Sequence, residues 1–184
     1  MKKNEWICQQ TIMDHNDEVY QLSFNQQQNR LVSCSYNGLI LIIEQSEQNK
    51  EWIVKQKIKV EQYGYRVCFI DDNMFTFQPY GKEQMCVYEM NNQFTKTKDI
   101  TVKCGSDFTC LFPQQYINAK FMLVSKNGEY VNIIRKKQNG DLLTQYSIHF
   151  GTNRIYGAMS DDGQYLVTWD EKSKQIQIRR YQEQ

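Results

Sequence analysis

The sequence predicts an all-β fold assembled from a repeated unit of about 45 residues that holds four strands. A duplicated segment carries the prediction first: Glu5-Trp6-Ile7-Cys8-Gln9-Gln10-Thr11-Ile12 returns as Glu51-Trp52-Ile53-Val54-Lys55-Gln56-Lys57-Ile58, identical at five of eight positions. Weaker copies end at Ile100 and Ile148, so the closing isoleucines stand at 12, 58, 100 and 148. Tight-turn signals repeat with the same period, because Asn37-Gly38 and Asn127-Gly128 lie two units apart. Asn-Gly suits a two-residue hairpin turn, whose central positions both need positive φ. Composition agrees: 12 Tyr and 9 Phe against two Ala in 184 residues favour half-buried strands over helices.

Each unit can be followed in order. In the first, residues 18–24 alternate, 30–35 resume an extended pattern after an Asn/Gln turn, and 39–43 form a continuous apolar run of the kind buried on both faces. Residues 52–58 then alternate as an outer strand. The second unit offers strands at 66–70, 74–77, 85–88 and 94–100. The third offers 108–112, 121–124, 130–134 and 142–148, with Asn139-Gly140 turning the last hairpin. The fourth offers 154–158, 165–168 and 175–178 and no fourth strand. The expected units are therefore 13–60, 61–103, 104–150 and 151–184, with residues 1–12 an additional outer strand. Four strands in 40 to 45 residues is the pattern of a β-propeller blade.

Particular residues resemble the WD-repeat family. Asp14-His15, Val19, Leu22, Phe24, the run from Asn29 to Gly38, Ile40, Ile42 and Glu44 look like one WD-repeat unit, with Asp14-His15 where the family has Gly-His. Residues 160–170, Ser-Asp-Asp-Gly-Gln-Tyr-Leu-Val-Thr-Trp-Asp, resemble the family's turn and second strand. The resemblance implies a hydrogen-bonded network of His, Ser or Thr, Asp and Trp that ties blade strands together. His15 and Ser33 match it, Asn37 replaces the Asp, and Ile43 stands at the Trp position, so a partial, structural network is expected. It also implies a way of closing the ring, in which residues 6–12 complete the last blade and give four blades in all. The alternative is a partial propeller from a longer WD-repeat array, since a seven-bladed ring at this period needs about 300 residues.

Catalytic patterns are missing. No G-x-S-x-G elbow, phosphate-binding glycine loop or H-E-x-x-H helix occurs. The acid pairs Asp71-Asp72 and Asp161-Asp162 read as turn residues, because Asp caps nearby backbone N–H groups. No catalytic residue, metal or cofactor is expected. Six cysteines without a CxxC pair read as reduced, mostly buried thiols. A net charge of +1 and isolated basic triplets give no nucleic-acid footprint. No run approaches the ~20 apolar residues of a membrane span, and the basic N-terminus lacks a signal-peptide core. The chain reads as soluble and cytoplasmic, a reading that leaves the nucleus open.

The function expected from the resemblance is a non-catalytic scaffold that binds protein or peptide partners through loops gathered on one propeller face. By position those loops bring forward Asn16, Asp17, Tyr36, Tyr63, Tyr65, Tyr80, Asp107, Lys126 and Arg154. Self-association is expected if the ring does not close, because open arrays expose apolar faces and strand edges. The competing readings are an enzyme or metal-binding protein on a small propeller, and a truncated or degenerate C-terminal part of a larger WD-repeat protein.

Overall fold

The computed structural model describes residues 4–106 and 109–182. Fifteen strands fall into four antiparallel sheets, each in sequence order from its first strand to its last. The first holds β1 (Val19–Phe24), β2 (Arg30–Ser35), β3 (Leu39–Gln45) and β4 (Trp52–Lys59). The second holds β5 (Arg66–Asp71), β6 (Met74–Gln78), β7 (Gln84–Asn91) and β8 (Gln93–Thr101). The third holds β9 (Gln115–Ile117), β10 (Met122–Asn127), β11 (Tyr130–Lys136) and β12 (Leu142–His149), with a 3-10 turn at Asn118–Lys120. The fourth has three strands, β13 (Ile155–Met159), β14 (Tyr165–Asp170) and β15 (Ile176–Arg180).

The hydrophobic pattern explains how the sheets stack. In β5 to β7 apolar residues run almost without interruption, so both faces of the second sheet must be covered. One face packs on the first sheet through Val67, Phe69, Phe75 and Phe77 against Val32, Ile40 and Ile42. The other packs on the third sheet through Cys68, Ile70, Met85 and Val87 against Leu123 and Ile134. A third core, with Met122, Val131, Ile133, Ile155 and Leu166, joins the third sheet to the fourth. Burial lifts the thiols of Cys34 to about 12 and of Cys68 and Cys86 to about 11, so they act as small apolar side chains.

Register repeats from sheet to sheet. Ile40 faces Ile58, Met85 faces Ile100 and Val131 faces Ile148, so the isoleucines that mark the repeat end equivalent outer strands. Each outer strand carries a bulge at the same place, between Ile42 and Ile43, Val87 and Tyr88, and Ile133 and Ile134 of its partner. Gly38 at φ 70° and Gly128 at φ 61° close the Asn-Gly turns.

Side-chain amides tie neighbouring sheets together. Gln56 on β4 donates Nε2–H to the Phe94 carbonyl at 2.8 Å and accepts the Phe94 N–H at 2.9 Å. Asn132 makes the same pair of bonds with Lys103, both at 3.0 Å, and Gln115 with Met159 at 3.0 and 3.1 Å. Gln21 spans from the first sheet to Gln114 at 3.0 and 3.2 Å.

Two expectations are corrected. Residues 4–18 form no strand, the fourth sheet has three strands, and the sheets do not close, so of the two architectures expected the structure is the partial propeller. The innermost strand of the third sheet is Gln115–Ile117, not 108–112, whose first residue lies outside the described residues. The carbonyls of Thr109, Leu111 and Phe112 are engaged by the Arg66 guanidinium at 3.0, 2.7 and 3.0 Å. Phe112 also stands at φ 63°, which a strand does not accommodate.

Candidate functional site at the mouth of the central opening

The first strands of the sheets, β1, β5, β9 and β13, lie innermost, and the chain entering them brings side chains together at one end. An open cavity of about 460 Å³ is bordered there by Glu18, Tyr20, Tyr65, Leu111, Arg154 and Tyr156. The first and fourth sheets, through Tyr20 and Tyr156, and the connections leading into β5 and β9 thus contribute to one mouth.

A cluster of five tyrosines adjoins this mouth and reaches its lining through Tyr20 and Tyr65. Tyr63 stacks on Tyr80 with centroids 5.1 Å apart and an interplanar angle of 18°. Tyr36 leans on Tyr63 at 4.8 Å, Tyr65 meets Tyr20 edge-on at 4.7 Å and Tyr80 at 5.9 Å, and Tyr20 reaches Tyr36 at 6.3 Å. Edge-to-face and offset contacts of this kind suit the ring quadrupole. Connections build the cluster: Tyr36 sits in the β2–β3 turn, Tyr80 after β6, and Tyr63 and Tyr65 just before β5. The Tyr80 N–H donates to the Tyr63 carbonyl at 2.7 Å and locks two of these loops together. The Tyr20 hydroxyl donates to Glu18 Oε2 at 3.2 Å, and burial with that bond raises its pKa and keeps it protonated. Tyr65 also lies against the buried Arg66 guanidinium, 6.0 Å from its ring centroid.

Four of the nine residues expected on the binding face, Tyr36, Tyr63, Tyr65 and Tyr80, are therefore in mutual contact. Arg154 borders the same mouth and pairs with Glu171 at 2.9 Å. Asn16 accepts from the Asn37 side-chain amide, and Asp17 accepts the Glu18 N–H at 2.9 Å. Lys126 is not at the surface: it lies in β10 with no exposed area, its Nζ 3.4 Å from Thr109 Oγ1. Alternation along β10 turns it inward, which a reading of 126 as a loop position misses. Asp107 lies outside the described residues. Tyr20 was not expected at the site, because its place in an alternating strand marks it only as core. The signal available was Glu18 two residues before it, within reach of its hydroxyl.

His15 Nε2 and Ser33 Oγ are 2.7 Å apart, which joins the segment before β1 to β2. Asn37 belongs to a separate turn network: its Oδ1 accepts from Ser35 Oγ at 2.6 Å and from the Leu39 N–H at 3.1 Å. Asp71, Asp72 and Asp162 of the acid pairs are each engaged by neighbouring groups. Asp71 pairs with Lys136, and Asp72 accepts from Asn25 at 2.7 Å and from the Gln27 backbone at 3.1 Å. Asp162 accepts from Ser160 at 2.6 Å and the Gln164 N–H at 2.9 Å, which holds its carboxyl below the usual range. Among the described residues no three His, Cys, Asp or Glu side chains are grouped so as to hold a metal ion. No helix among them is long and apolar enough to cross a membrane.

Burial lowers the His15 pKa from 6.5, outweighing the Asp14 carboxylate, which pulls the other way, and Lys57 adds to the lowering. The unfolded chain therefore takes up this proton first as pH falls. The contribution of neutral His15 is intact above 6.5 and is lost as pH drops below it toward the folded value. The urea midpoint is expected to decrease between about pH 7.5 and about pH 5.5, and to decrease less in His15→Gln. Equal decreases in the two proteins would remove His15 as the cause.

No protein-family model matches the sequence, and no curated protein matches it. Solved structures do match. The Myceliophteria thermophila Cps50 (Swd1) β-propeller domain aligns with 89% of this chain and 52% of its own at a TM-score of 0.64 and 11% identity. A functionally unknown protein from Desulfotomaculum acetoxidans aligns with 93% of this chain and 54% of its own, with a TM-score of 0.69 and 13% identity. A chain of a mitotic checkpoint complex aligns with 92% of this chain and 51% of its own, with a TM-score of 0.70 and 16% identity. At these identities the likeness is one of fold, and the fold is that of a β-propeller, present here as a partial ring. The chain spans about half the length of the structures it matches.

Proposed function

We propose that this chain is a non-catalytic interaction module that presents the tyrosine-walled mouth of its central opening to a protein or peptide partner. The observation that carries the reading is the mutual packing of five tyrosines from separate strands and connections, two of which, Tyr20 and Tyr65, line the mouth with Glu18 and Arg154. Tyrosine supplies a large, rigid contact surface with a polar tip, and is enriched where single residues dominate binding energy. The acid and the base on the rim favour a partner that offers hydrogen bonds and charge as well as an apolar anchor. A similar fold in a mitotic checkpoint complex lends support to a role within an assembly.

The test is affinity capture from extract of the source cells with the wild-type chain and with a Tyr36→Ala/Tyr63→Ala double variant of unchanged melting temperature. A partner retained by the first and lost by the second supports the reading. A partner retained equally by both places the binding surface elsewhere.

A further inference from the structure

We infer that two copies of this chain join through shared blades, with residues 5–12 of each copy forming the missing outer strand beside β15 of the other. The inference rests on two bare faces, one unoccupied strand position and one segment with the sequence of an outer strand that pairs with no sheet.

The faces come first. By register, Ile176 and Ile178 on β15 hold the places of Ile40 and Ile42, of Met85 and Val87, and of Val131 and Ile133. Those six are buried between sheets, whereas Ile176 is 72% and Ile178 68% exposed. At the other end of the array Leu22 and Phe24 on β1 hold the places of Val67 and Phe69, which are buried. They are 59% and 55% exposed. One face is therefore of the kind that each sheet turns to the next, and the other of the kind that each sheet turns to the one before. Three such pairs of faces are already packed together within the chain. A single copy leaves one of each bare, and bare apolar sheet faces mark association surfaces.

The strand and its position match equally well. Residues 5–12 repeat the sequence of β4, and Gln10 bonds the Trp52 backbone at 2.7 and 2.8 Å as Gln56 bonds Phe94. They thus stand where the outer strand of a sheet preceding β1 would stand. The sheet β13–β15 has three strands and lacks the outer one. An open groove of about 700 Å³ between the third and fourth sheets, bordered by Met122, Ile133, Leu166 and Arg179, lies along that position. At the two earlier junctions the corresponding space is filled by Phe94 and Leu142 from outer strands. Trp6 aligns with Trp52, which has the register position of Phe94, and its side chain is fully exposed.

Geometry selects a second copy as the occupant. This chain spans about half of the matched β-propeller domain, so two copies supply the sheets of a full ring, and a head-to-tail contact that closes after two steps leaves no face bare. The repeated register places Ile12 opposite Ile176, Gln10 opposite Ile178, a bulge at Gln9, and Cys8 opposite Arg179. This surface is separate from the tyrosine rim, and the two proposals stand or fall independently.

Light scattering coupled to size-exclusion chromatography on the full chain tests it. The expected mass is twice the 22.0 kDa of one chain. Deletion of residues 1–12, and separately Ile176→Glu with Ile178→Glu at positions already exposed, is expected to give a folded single chain that melts below the wild-type dimer and whose melting temperature no longer depends on protein concentration. Arg179→Cys is expected to form an interchain disulfide with Cys8 on oxidation, and to form none when combined with Cys8→Ser. A single-chain mass at all concentrations up to about 100 μM, far above a micromolar Kd, overturns the proposal. So does a dimer that survives the deletion, or open-ended aggregation.

Discussion

Replacing Phe75 by Ala is expected to lower the stability of the chain by about 3–5 kcal/mol, the range for deleting a buried aromatic ring. Phe75 has no exposed area and lies parallel to Tyr88 at 4.7 Å, with Phe94 at 5.1 Å and Phe69 at 5.9 Å meeting it edge-on. It stands on β6, where the first and second sheets meet, and these rings cannot all move inward to fill the space it leaves. Because total stability of a domain this size is about 5–15 kcal/mol, such a loss approaches the margin for folding. Phe75→Leu retains most of the volume and is expected to cost about 1–2 kcal/mol. Urea unfolding followed by circular dichroism measures both, and equal costs would show that the site collapses without strain.

Arg66→Met is expected to have an effect of similar size by a different route. Arg66 is 1% exposed, and its guanidinium donates to the carbonyls of Phe112, Thr109 and Leu111. Removing it leaves three acceptors without these donors at once, at about 1–3 kcal/mol for each one that water cannot reach. A total of roughly 2–6 kcal/mol follows if one of the three is rehydrated. Arg66→Lys is expected to recover only part of the loss, because one ammonium cannot spread its donors as the planar fork does. Hydrogen exchange separates this from a simple core defect: protection should fall first in residues 109–118, which the guanidinium holds against the second sheet. Uniform loss across all four sheets would contradict the local role.

The repeat was legible because its markers are local. Alternation in residues 18–24 and 52–58, the apolar run at 39–43 and the Asn-Gly turns each declare themselves within a few positions, and all became strands or turns. The third sheet was misread at its innermost strand because Phe-Thr-Cys-Leu-Phe has the composition of a strand. Its conformation, however, is set by Arg66, more than 40 residues away. β9 has three residues between Pro113 and a 3-10 turn, too few to show a period. Residues 5–12 carry the alternation of a strand, yet alternation cannot supply the neighbour that a strand needs for its hydrogen bonds. At the rim, four tyrosines were legible from the position of their loops. Tyr20 was not, nor was the inward turn of Lys126, since both depend on which face of a strand the packing selects.

The amide bridges have a consequence for how the molecule comes apart. Each sheet is tied to the next by a side chain that grips both the N–H and the C=O of one residue, so loosening a sheet also releases its neighbour's backbone. Stability is then a chain of nearest-neighbour couplings, and a partial ring has two ends at which the chain can begin to open. The fourth sheet, with three strands and one such bridge, is the weak end; the second and third, coupled on both faces, are the last to go. Melting should therefore travel inward from the C-terminus, and fastening the two ends to anything at all would turn a sequential process into a single concerted one.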